Sequence, residues 1–300
     1  MIDPKNKWRR YNTPFGICIN EKCETVISKY LIPNYRGQIQ LIFTSPPFPL
    51  NRAKKYGNLN GDEYKKWLCD VVKSMLPLLS EDGSIVIEIG NAWNYGEPTF
   101  STLPMETLLS IKNECGLSLC QEFIYYNPAR LPSPIQYVNI DRTRVKDSFT
   151  RVWWFSRTAA PKANNRNVLK QYSKQMKKLL ETGQYNAGER PSEHSISETA
   201  FNNDNGGAIP SNVIIASNTN SRDPYLLRCK EKGVKIHPAR MPFEVPRFFI
   251  NLLTDEADIV MDCFAGSNTT GYCAEEAKRR WISVEVDKDY YTGSKYRFMR

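Results

Sequence analysis

Short apolar runs, rich in β-branched and aromatic residues, recur along the chain and predict buried strands. Amphipathic patterns fall between most of these runs. The clearest, 62–79, repeats apolar residues at steps of three and four, which predicts a helix with one apolar face. The predicted strands are Phe15–Asn20, Gln40–Thr44, Ser84–Gly90, Leu119–Tyr126, Arg151–Ser156, Asp258–Phe264 and Trp281–Val286. The other predicted helices are Pro104–Cys115, Val245–Leu253 and Thr269–Arg279.

Strands that alternate with helices are typical of an α/β fold with a doubly wound, mostly parallel sheet. The alternation breaks at about residue 161, where a basic, helix-like segment, Val168–Glu181, is followed by sequence rich in Asn, Ser and Gly. Apolar residues such as Ile214 and Tyr225 give this stretch something to bury, so we interpret it as an insertion. The chain therefore divides into residues 1–160, an insertion at 161–235 and residues 236–300.

Positive charge is in excess and unevenly spread. The 300 residues carry a net charge of +9, and the stretch 161–240 holds 13 Lys or Arg against 7 Asp or Glu. Such a surplus is compatible with a polyanionic partner such as nucleic acid. It is equally compatible with an ordinary soluble basic protein, so charge alone does not choose between them.

Targeting and metal-binding signals are absent from the sequence pattern. Met1–Asn12 is polar and has no apolar core, which argues against a signal peptide, and no apolar run approaches the ~18 residues of a membrane span. The eight cysteines show no pair at the spacing of a zinc or redox motif. We therefore predict a cytoplasmic protein with reduced thiols, no bound metal and no membrane partner.

The first chemically informative segment is the apolar strand that runs into Ser45, Pro46, Pro47 and Phe48. Two consecutive prolines fix the backbone and remove two N–H donors, so carbonyl and hydroxyl acceptors remain beside an aromatic ring. This arrangement suits a planar group that carries an amino donor, because the ring can stack on Phe48 while the amino group bonds to the acceptors. A proline-rich turn that merely ends a strand is the alternative interpretation.

The second segment, Asp258–Gly271, reads as a strand, a glycine turn and the start of a helix. Such a turn lets a cofactor approach the backbone. Tyr272 and Cys273 follow Gly271 where a P-loop has Lys and Ser or Thr, which argues against a nucleoside triphosphate. Glu285 ends the next strand, where an acidic residue accepts hydrogen bonds from ribose hydroxyls in nucleoside-binding folds. A plain packing turn is the alternative here.

Both segments end predicted strands. In open α/β sheets, ligands bind outside the carboxyl ends of the strands. We therefore expect the two segments to face one crevice although more than 200 residues separate them in the sequence.

Together these motifs resemble the DNA amino-methyltransferases of restriction–modification systems, in the β arrangement that places the catalytic half before the cofactor half. Thr44–Phe48 resembles the catalytic motif of that family, and Phe264–Gly271 resembles its S-adenosylmethionine loop. His237–Pro242 is similar to a third family motif, which helps enclose the methionine end of the cofactor. A serine before the prolines is the usual mark of enzymes that methylate N4 of cytosine.

The resemblance implies S-adenosylmethionine as cofactor and double-stranded DNA as substrate, with the target cytosine flipped out of the duplex. It makes residues 1–160 the catalytic half, 161–235 the target-recognition insertion and 236–300 the cofactor-binding half. The implied catalytic residues are Ser45, Pro46, Pro47, Phe48 and Glu88. The implied cofactor-binding residues are Phe264, Gly266, Ser267, Asn268, Thr269, Glu285, His237, Pro238 and Arg240. The candidate DNA-binding residues are Lys170, Lys174, Lys177, Arg222 and Arg228.

Other functions stay open at this point. Adenine-N6 methylation keeps the chemistry, but such enzymes usually carry Asp or Asn where Ser45 stands. RNA and protein-amide methyltransferases usually have Asn there. A non-catalytic DNA-binding relative would not need the intact motifs at Ser45–Phe48 and Gly266–Thr270. The resemblance also implies a cognate restriction endonuclease encoded nearby, without direct binding, whereas the oligomeric state cannot be read from the sequence.

Overall fold

The computed structural model describes residues 8–48, 61–183, 188–189, 195–197 and 201–299. Of the polar segment Met1–Asn12, on which the cytoplasmic prediction rests in part, residues 1–7 therefore lie outside the described part of the chain. Among the described residues, no helix combines the length and the apolar character that a membrane span requires.

One large sheet organises the chain, and nine of the eleven described strands belong to it. The strands are β1 (Arg9–Asn12), β2 (Gly16–Asn20), β3 (Ile39–Thr44), β4 (Leu79–Gly90), β5 (Ser118–Tyr126), β6 (Phe149–Ser156), β7 (Gly188–Glu189), β8 (Ser195–Ile196), β9 (Val213–Ile215), β10 (Ile259–Asp262) and β11 (Arg280–Val284). Their order across the sheet is β1–β2–β11–β10–β3–β4–β6–β5–β9, and β7 pairs with β8 alone.

Parallel pairing dominates this sheet. Strands β2, β11, β10, β3 and β4 are consecutive neighbours that all run in the same direction. The antiparallel pairs are β1 with β2 and β6 with both β4 and β5. Every residue of β3 and β10 is buried, as expected for central strands of a parallel sheet covered on both faces. The predicted α/β class with a mostly parallel sheet is confirmed.

The described part of the chain also contains nine α-helices. They are α1 (Cys23–Val26), α2 (Ile32–Tyr35), α3 (Gly61–Met75), α4 (Leu103–Glu114), α5 (Lys174–Thr182), α6 (Pro224–Glu231), α7 (Glu244–Leu253), α8 (Thr269–Glu276) and α9 (Lys288–Ser294). Helix α3 buries the apolar positions that predicted it, among them Leu68 and Val72. Helix α7 brings Phe249 onto Phe43 of β3, with ring centroids 5.7 Å apart.

The helix predicted at Thr269–Arg279 ends at Glu276, and two other predicted helices differ more from the structure. The helix predicted at 62–79 stops at Met75, and a short 3₁₀ turn, Leu76–Leu78, leads directly into β4. Pro77 lies in this turn, and it has no N–H to continue a helix. The basic helix predicted at Val168–Glu181 begins only at Lys174, because the Ser173 hydroxyl caps it by accepting a hydrogen bond from the Met176 N–H at 3.2 Å.

Residues Asn164–Ser211 form a compact unit distinct from the one formed by the rest of the chain. Within it, the backbones of Lys170 and Ala208 exchange two hydrogen bonds, of 2.9 and 2.8 Å. The Tyr172 hydroxyl donates to Asp204 at 3.0 Å. This unit is shorter than the predicted insertion at 161–235, because β9 pairs with β5 and thereby places residues from 212 onward in the larger unit.

A buried ion pair ties α6 to the glycine turn after β10. The Arg297 guanidinium lies 3.3 Å from Asp223, and both side chains are less than a tenth exposed. Arg297 also donates to the carbonyl oxygen of Ser267 at 2.6 Å and to its hydroxyl at 3.0 Å. Burial lowers the pKa of Arg297, although the nearby Asp223 opposes the shift. The pair and its hydrogen bonds therefore hold the backbone of the turn in place.

We expect Arg297→Met to lower the free energy of unfolding by about 3–5 kcal/mol, because it leaves Asp223 buried and without its cation. Urea denaturation followed by circular dichroism measures the change. The matched control is Lys278→Ala, which breaks an exposed pair with Glu256 and should change stability by less than about 1 kcal/mol. Equal effects of the two substitutions would contradict the structural importance of the buried pair.

Candidate active site

A cavity of about 1160 Å³ lies at the carboxyl ends of the parallel strands. The segments that follow β2, β3, β10 and β11 line it together with Glu88, near the end of β4. The two motifs singled out in the sequence therefore face the same cavity, as expected. The sequence-predicted residues that line it are Ser45, Pro46, Pro47, Phe48, Glu88, Phe264, Gly266, Ser267, Thr269, Glu285, His237 and Arg240.

Glu88 lines the cavity and is held by two hydroxyl groups. Ser45 Oγ donates to Glu88 Oε2 at 2.6 Å, and Thr150 Oγ1 donates to Glu88 Oε1 at 2.8 Å. The register of β4 and β6 explains the second bond, because Thr150 lies opposite Gly90 and on the same face as Glu88. Burial raises the pKa of Glu88, and the two hydroxyl hydrogen bonds oppose that shift.

Gly90, the last residue of β4, makes room for the Phe48 ring. A Cβ atom at this position would lie 2.4 Å from Phe48 Cδ2 and 2.7 Å from Cε2. Real Cβ contacts do not become this short, so any larger residue must displace the ring. The sheet thus fixes how deep the aromatic side chain of the Ser45–Phe48 motif sits in the cavity.

Glu285, which lines the same cavity, bonds to the backbone of the glycine turn. Its Oε2 atom accepts a hydrogen bond from the Gly266 N–H at 2.6 Å, and Oε1 accepts one from the Asp287 N–H at 2.8 Å. Gly266 has a φ of +52°, which favours glycine, and a Cβ there would lie 3.0 Å from His237 Nε2. Burial raises the pKa of Glu285 to about 7 against the opposing effect of these hydrogen bonds.

Asp262, for which no role was predicted from the sequence, connects the end of β3 with the turn after β10. Its Oδ1 atom accepts hydrogen bonds from Thr44 Oγ1 at 2.9 Å and from the Phe264 N–H at 3.0 Å. Its Oδ2 atom accepts one from Thr270 Oγ1 at 2.7 Å. Asp262 is buried and lines the cavity. The available signal was a carboxylate at the last position of a buried strand, directly before the glycine turn.

Aromatic residues of the apolar face of α3 form a further part of the cavity wall. Trp67 of α3 lines the cavity and contacts Phe264, with ring centroids 5.6 Å apart. Tyr64, one turn earlier, also lines the cavity, and its buried hydroxyl has no hydrogen-bond partner in the described structure. Their periodic spacing indicated an apolar helix face correctly, but spacing alone does not tell which part of that face borders a cavity.

Two of the predicted cofactor-binding residues lie outside the cavity lining. Pro238 lies between His237 and Ala239, which line the cavity, but is not itself a lining residue. Asn268 is fully buried, has a φ of +55° and caps α8 by accepting a hydrogen bond from the Gly271 N–H at 3.2 Å. Its side chain also bonds to Ser283 and Tyr11. Asn268 therefore stabilises the glycine turn through buried hydrogen bonds outside the cavity lining.

The candidate DNA-binding residues fall into two groups. Lys170, Lys174 and Lys177 are exposed side chains of the compact unit Asn164–Ser211. Arg222 is an exposed residue of the larger unit. Arg228 of α6 instead donates to the backbone carbonyls of Tyr296, at 2.8 Å, and of Met299. Because its guanidinium bonds to the backbone of the C-terminal segment, this placement favours a structural role for Arg228.

The pKa of Glu285 has a consequence for stability. Because the folded value of about 7 exceeds the unfolded value of about 4.5, protonated Glu285 favours folding below pH 4.5. That contribution is lost as the pH rises through 7. We expect Glu285→Gln, which stays neutral, to gain about 3 kcal/mol relative to the wild type between pH 4.5 and pH 8.

Urea unfolding of both proteins across that pH range measures the difference. Glu81→Gln, at an exposed position of β4, is the matched control. If the free energy of unfolding of Glu285→Gln runs parallel to that of the wild type from pH 4.5 to 8, as that of Glu81→Gln should, the pKa of Glu285 is not raised by burial.

Comparison with known proteins agrees with this geometry. The model of the N6/N4 methyltransferase family, described as "DNA methylase", matches residues 39–295. The chain is 45% identical over 263 residues to the type II methyltransferase M.PvuII of Proteus hauseri, covering 87% of this chain and 78% of that protein. It is 22% identical over 257 residues to the type II methyltransferase M.BglII of Bacillus subtilis, covering 85% of this chain and 62% of that protein.

Solved structures show the same likeness. The structure named PvuII DNA methyltransferase (cytosine-N4-specific) superposes with a TM-score of 0.78 at 36% identity, covering 97% of this chain and 88% of that one. The complex of M1.HpyAVI with SAM gives 0.57 at 17% identity over 94% of this chain and 98% of that one, which shows the fold alone. The predicted fold and family are confirmed, and the chain belongs to the N6/N4 DNA methylase family.

Proposed function

We propose that this protein transfers the methyl group of S-adenosylmethionine to N4 of a cytosine flipped out of double-stranded DNA. One observation carries the proposal. The Ser45–Phe48 acceptor rim, bonded to Glu88, and the Gly266–Glu285 turn line one and the same cavity. A nucleophile and a nucleoside-containing methyl donor can thus meet inside it. The relative named cytosine-N4-specific supports the choice of base.

The residues at the glycine turn fit this cofactor. Glu285 offers carboxylate oxygens to ribose hydroxyls, and Gly266 keeps the backbone close to the ligand. Asp262 and Glu285 place buried carboxylates in a cavity that must accept a positively charged sulfonium. When bound, S-adenosylmethionine supplies a methyl group on that sulfonium, which is already a strong electrophile.

At the base, this chain has to make a poor nucleophile reactive. The N4 lone pair of cytosine is delocalised into its ring. The Ser45 hydroxyl donates its hydrogen bond to Glu88, so the lone pairs of Ser45 Oγ can accept a hydrogen bond from N4–H. The Pro46 carbonyl can accept the other, since proline offers no competing N–H. Together the two acceptors favour a tetrahedral nitrogen with a localised lone pair, and positioning supplies most of the remaining catalysis.

Methylation leaves N4 with one proton too many, and Glu88 can take it. The proton passes from N4 to Ser45 Oγ while the Ser45 hydroxyl proton moves to Glu88 Oε2, 2.6 Å away. This step requires ionised Glu88. Because burial raises its pKa, the rate should fall when the pH drops through that raised value.

Other substrates can be compared with cytosine N4. Adenine-N6 methylation would use the same acceptors, and the family that matches this chain includes both N6 and N4 enzymes. A protein substrate would not need an exposed basic unit such as the one carrying Lys170, Lys174 and Lys177, whereas a nucleic acid would. These lysines, with Arg222, are our candidates for DNA phosphate contacts. A cytoplasmic location and a cognate endonuclease encoded nearby complete the proposal.

Expression in a host that lacks DNA methylation tests the function directly. We expect sequencing sensitive to modified bases to find N4-methylcytosine at one short motif, and Ser45→Ala to abolish it. Ser110→Ala, on helix α4 away from the cavity lining, is the matched control and should retain the modification. N6-methyladenine would overturn the base assignment, and unmodified DNA from a folded protein that binds S-adenosylmethionine would overturn the substrate.

The seat of Phe48 on Gly90 yields a second test. Gly90→Ala must move the ring by about 1 Å, so we expect a rate loss of about 10²-fold with cofactor binding unchanged. In a Phe48→Ala background, the same substitution should cause no further loss, because no ring remains to displace. Single-turnover methylation and calorimetric titration of the cofactor measure both effects. Independent, multiplying losses would contradict the assigned contact.

A further inference from the structure

The loop between β5 and β6, residues 127–148, exposes several large apolar side chains. Leu131 is 80% exposed, Val145 86%, Ile135 63% and Ile140 64%. Soluble proteins commonly show single exposed apolar residues, but four within one connection between neighbouring strands indicate a surface that meets a partner.

Hydrogen bonds within the loop fix its backbone. Lys146 Nζ donates to the carbonyls of Pro128, at 3.1 Å, and Arg130, at 3.2 Å. The Tyr137 carbonyl accepts two backbone N–H groups, and Arg144 pairs with Asp147 at 3.4 Å. Polar groups of the loop thus bond to one another and stabilise its conformation, while the apolar side chains are exposed.

Leu131 differs from the other three in its position. Ala129, Arg130, Leu131 and Ser133 line the same cavity as Ser45 and Glu88, whereas Ile135, Ile140 and Val145 are not among the described lining residues. A residue that lines a cavity and is still 80% exposed lies at the rim. Arg130 secures this rim, because its Nη1 donates to the Phe149 carbonyl at 3.0 Å.

A cytosine that enters this cavity leaves a gap in the duplex at the rim. Proteins that distort DNA insert apolar side chains such as Leu between base steps. We propose that Leu131 is the wedge that enters the duplex where the target cytosine has left it, an inference that rests on the proposed function. The exposed side chains around it would meet the flanking DNA, and Arg142, an exposed cation of the same loop, adds charge of the right sign for phosphate.

A wedge acts on base flipping and not on the methyl transfer that follows. Its loss should therefore matter when the target is paired and stacked, and should matter little when the target is already mispaired, since mispaired bases are easier to extrude. A residue that only supports the fold or the catalytic groups would affect both substrates alike.

The experiment compares Leu131→Ala with the wild type on two duplexes that carry the recognition site found by sequencing. In one duplex guanine faces the target cytosine, and in the other adenine does. We expect kcat/KM of the variant to fall about tenfold on the paired duplex and by less than about twofold on the mispaired one. With 2-aminopurine at the target position, the fluorescence rise on binding should shrink in the variant. Val145→Ala, equally exposed on the same loop, is the matched control and should treat both duplexes alike.

Equal losses of Leu131→Ala on both duplexes, or no loss on either, would overturn the wedge while leaving the proposed function intact. A wild-type protein that methylates neither duplex would overturn the proposed function and this inference with it. Thermal unfolding of the variant guards the comparison, and since Leu131 is largely exposed its substitution should leave the Tm unchanged.

Discussion

The buried carboxylate of Asp262 is the contact on which the active site depends. It accepts hydrogen bonds from the end of β3, through Thr44, and from the turn after β10, through Phe264 and Thr270. These two segments belong to the two halves of the site, and neither would keep its position relative to the other if either strand slipped. The parallel pairing of β3 with β10 sets the distance, and Asp262 closes it with side-chain bonds.

Three buried carboxylates share one cavity, and each is satisfied differently. Asp262 bonds to two hydroxyls and one backbone N–H, Glu285 to two backbone N–H groups, and Glu88 to two hydroxyls. Burial raises the pKa of all three. Such a concentration of acidic groups is unfavourable without a ligand, because like charges repel and each charge loses hydration. A bound cation such as a sulfonium offsets the repulsion through attraction to each carboxylate, so these groups favour binding of a positively charged ligand.

Much of this architecture could be read from the sequence, because β3 and β10 are short, mostly apolar segments that lead into a serine–proline–proline motif and a glycine turn. The convergence of Ser45 and Gly266 followed from strand direction alone. Asn268 was assigned to the cofactor, since a motif gives positions along the chain but not which way a side chain points at a positive φ. Arg228 was assigned to DNA, because its carbonyl partners lie about 70 residues further along the chain. The spacing of Tyr64 and Trp67 predicted an apolar helix face, but spacing alone does not show that part of this face borders a cavity.

The position of β10 between β3 and β11 also governs how the chain can fold. Strand β3 pairs with β4 soon after it is made, but its other edge has to wait for β10, more than 200 residues later. Until then a mostly apolar strand presents unpaired N–H and C=O groups to its surroundings. Contacts of such long sequence separation form slowly, so a partly synthesised chain is exposed to aggregation through this edge. Fragments that stop before residue 259 retain the catalytic motif but lack the strand that makes the sheet soluble around it.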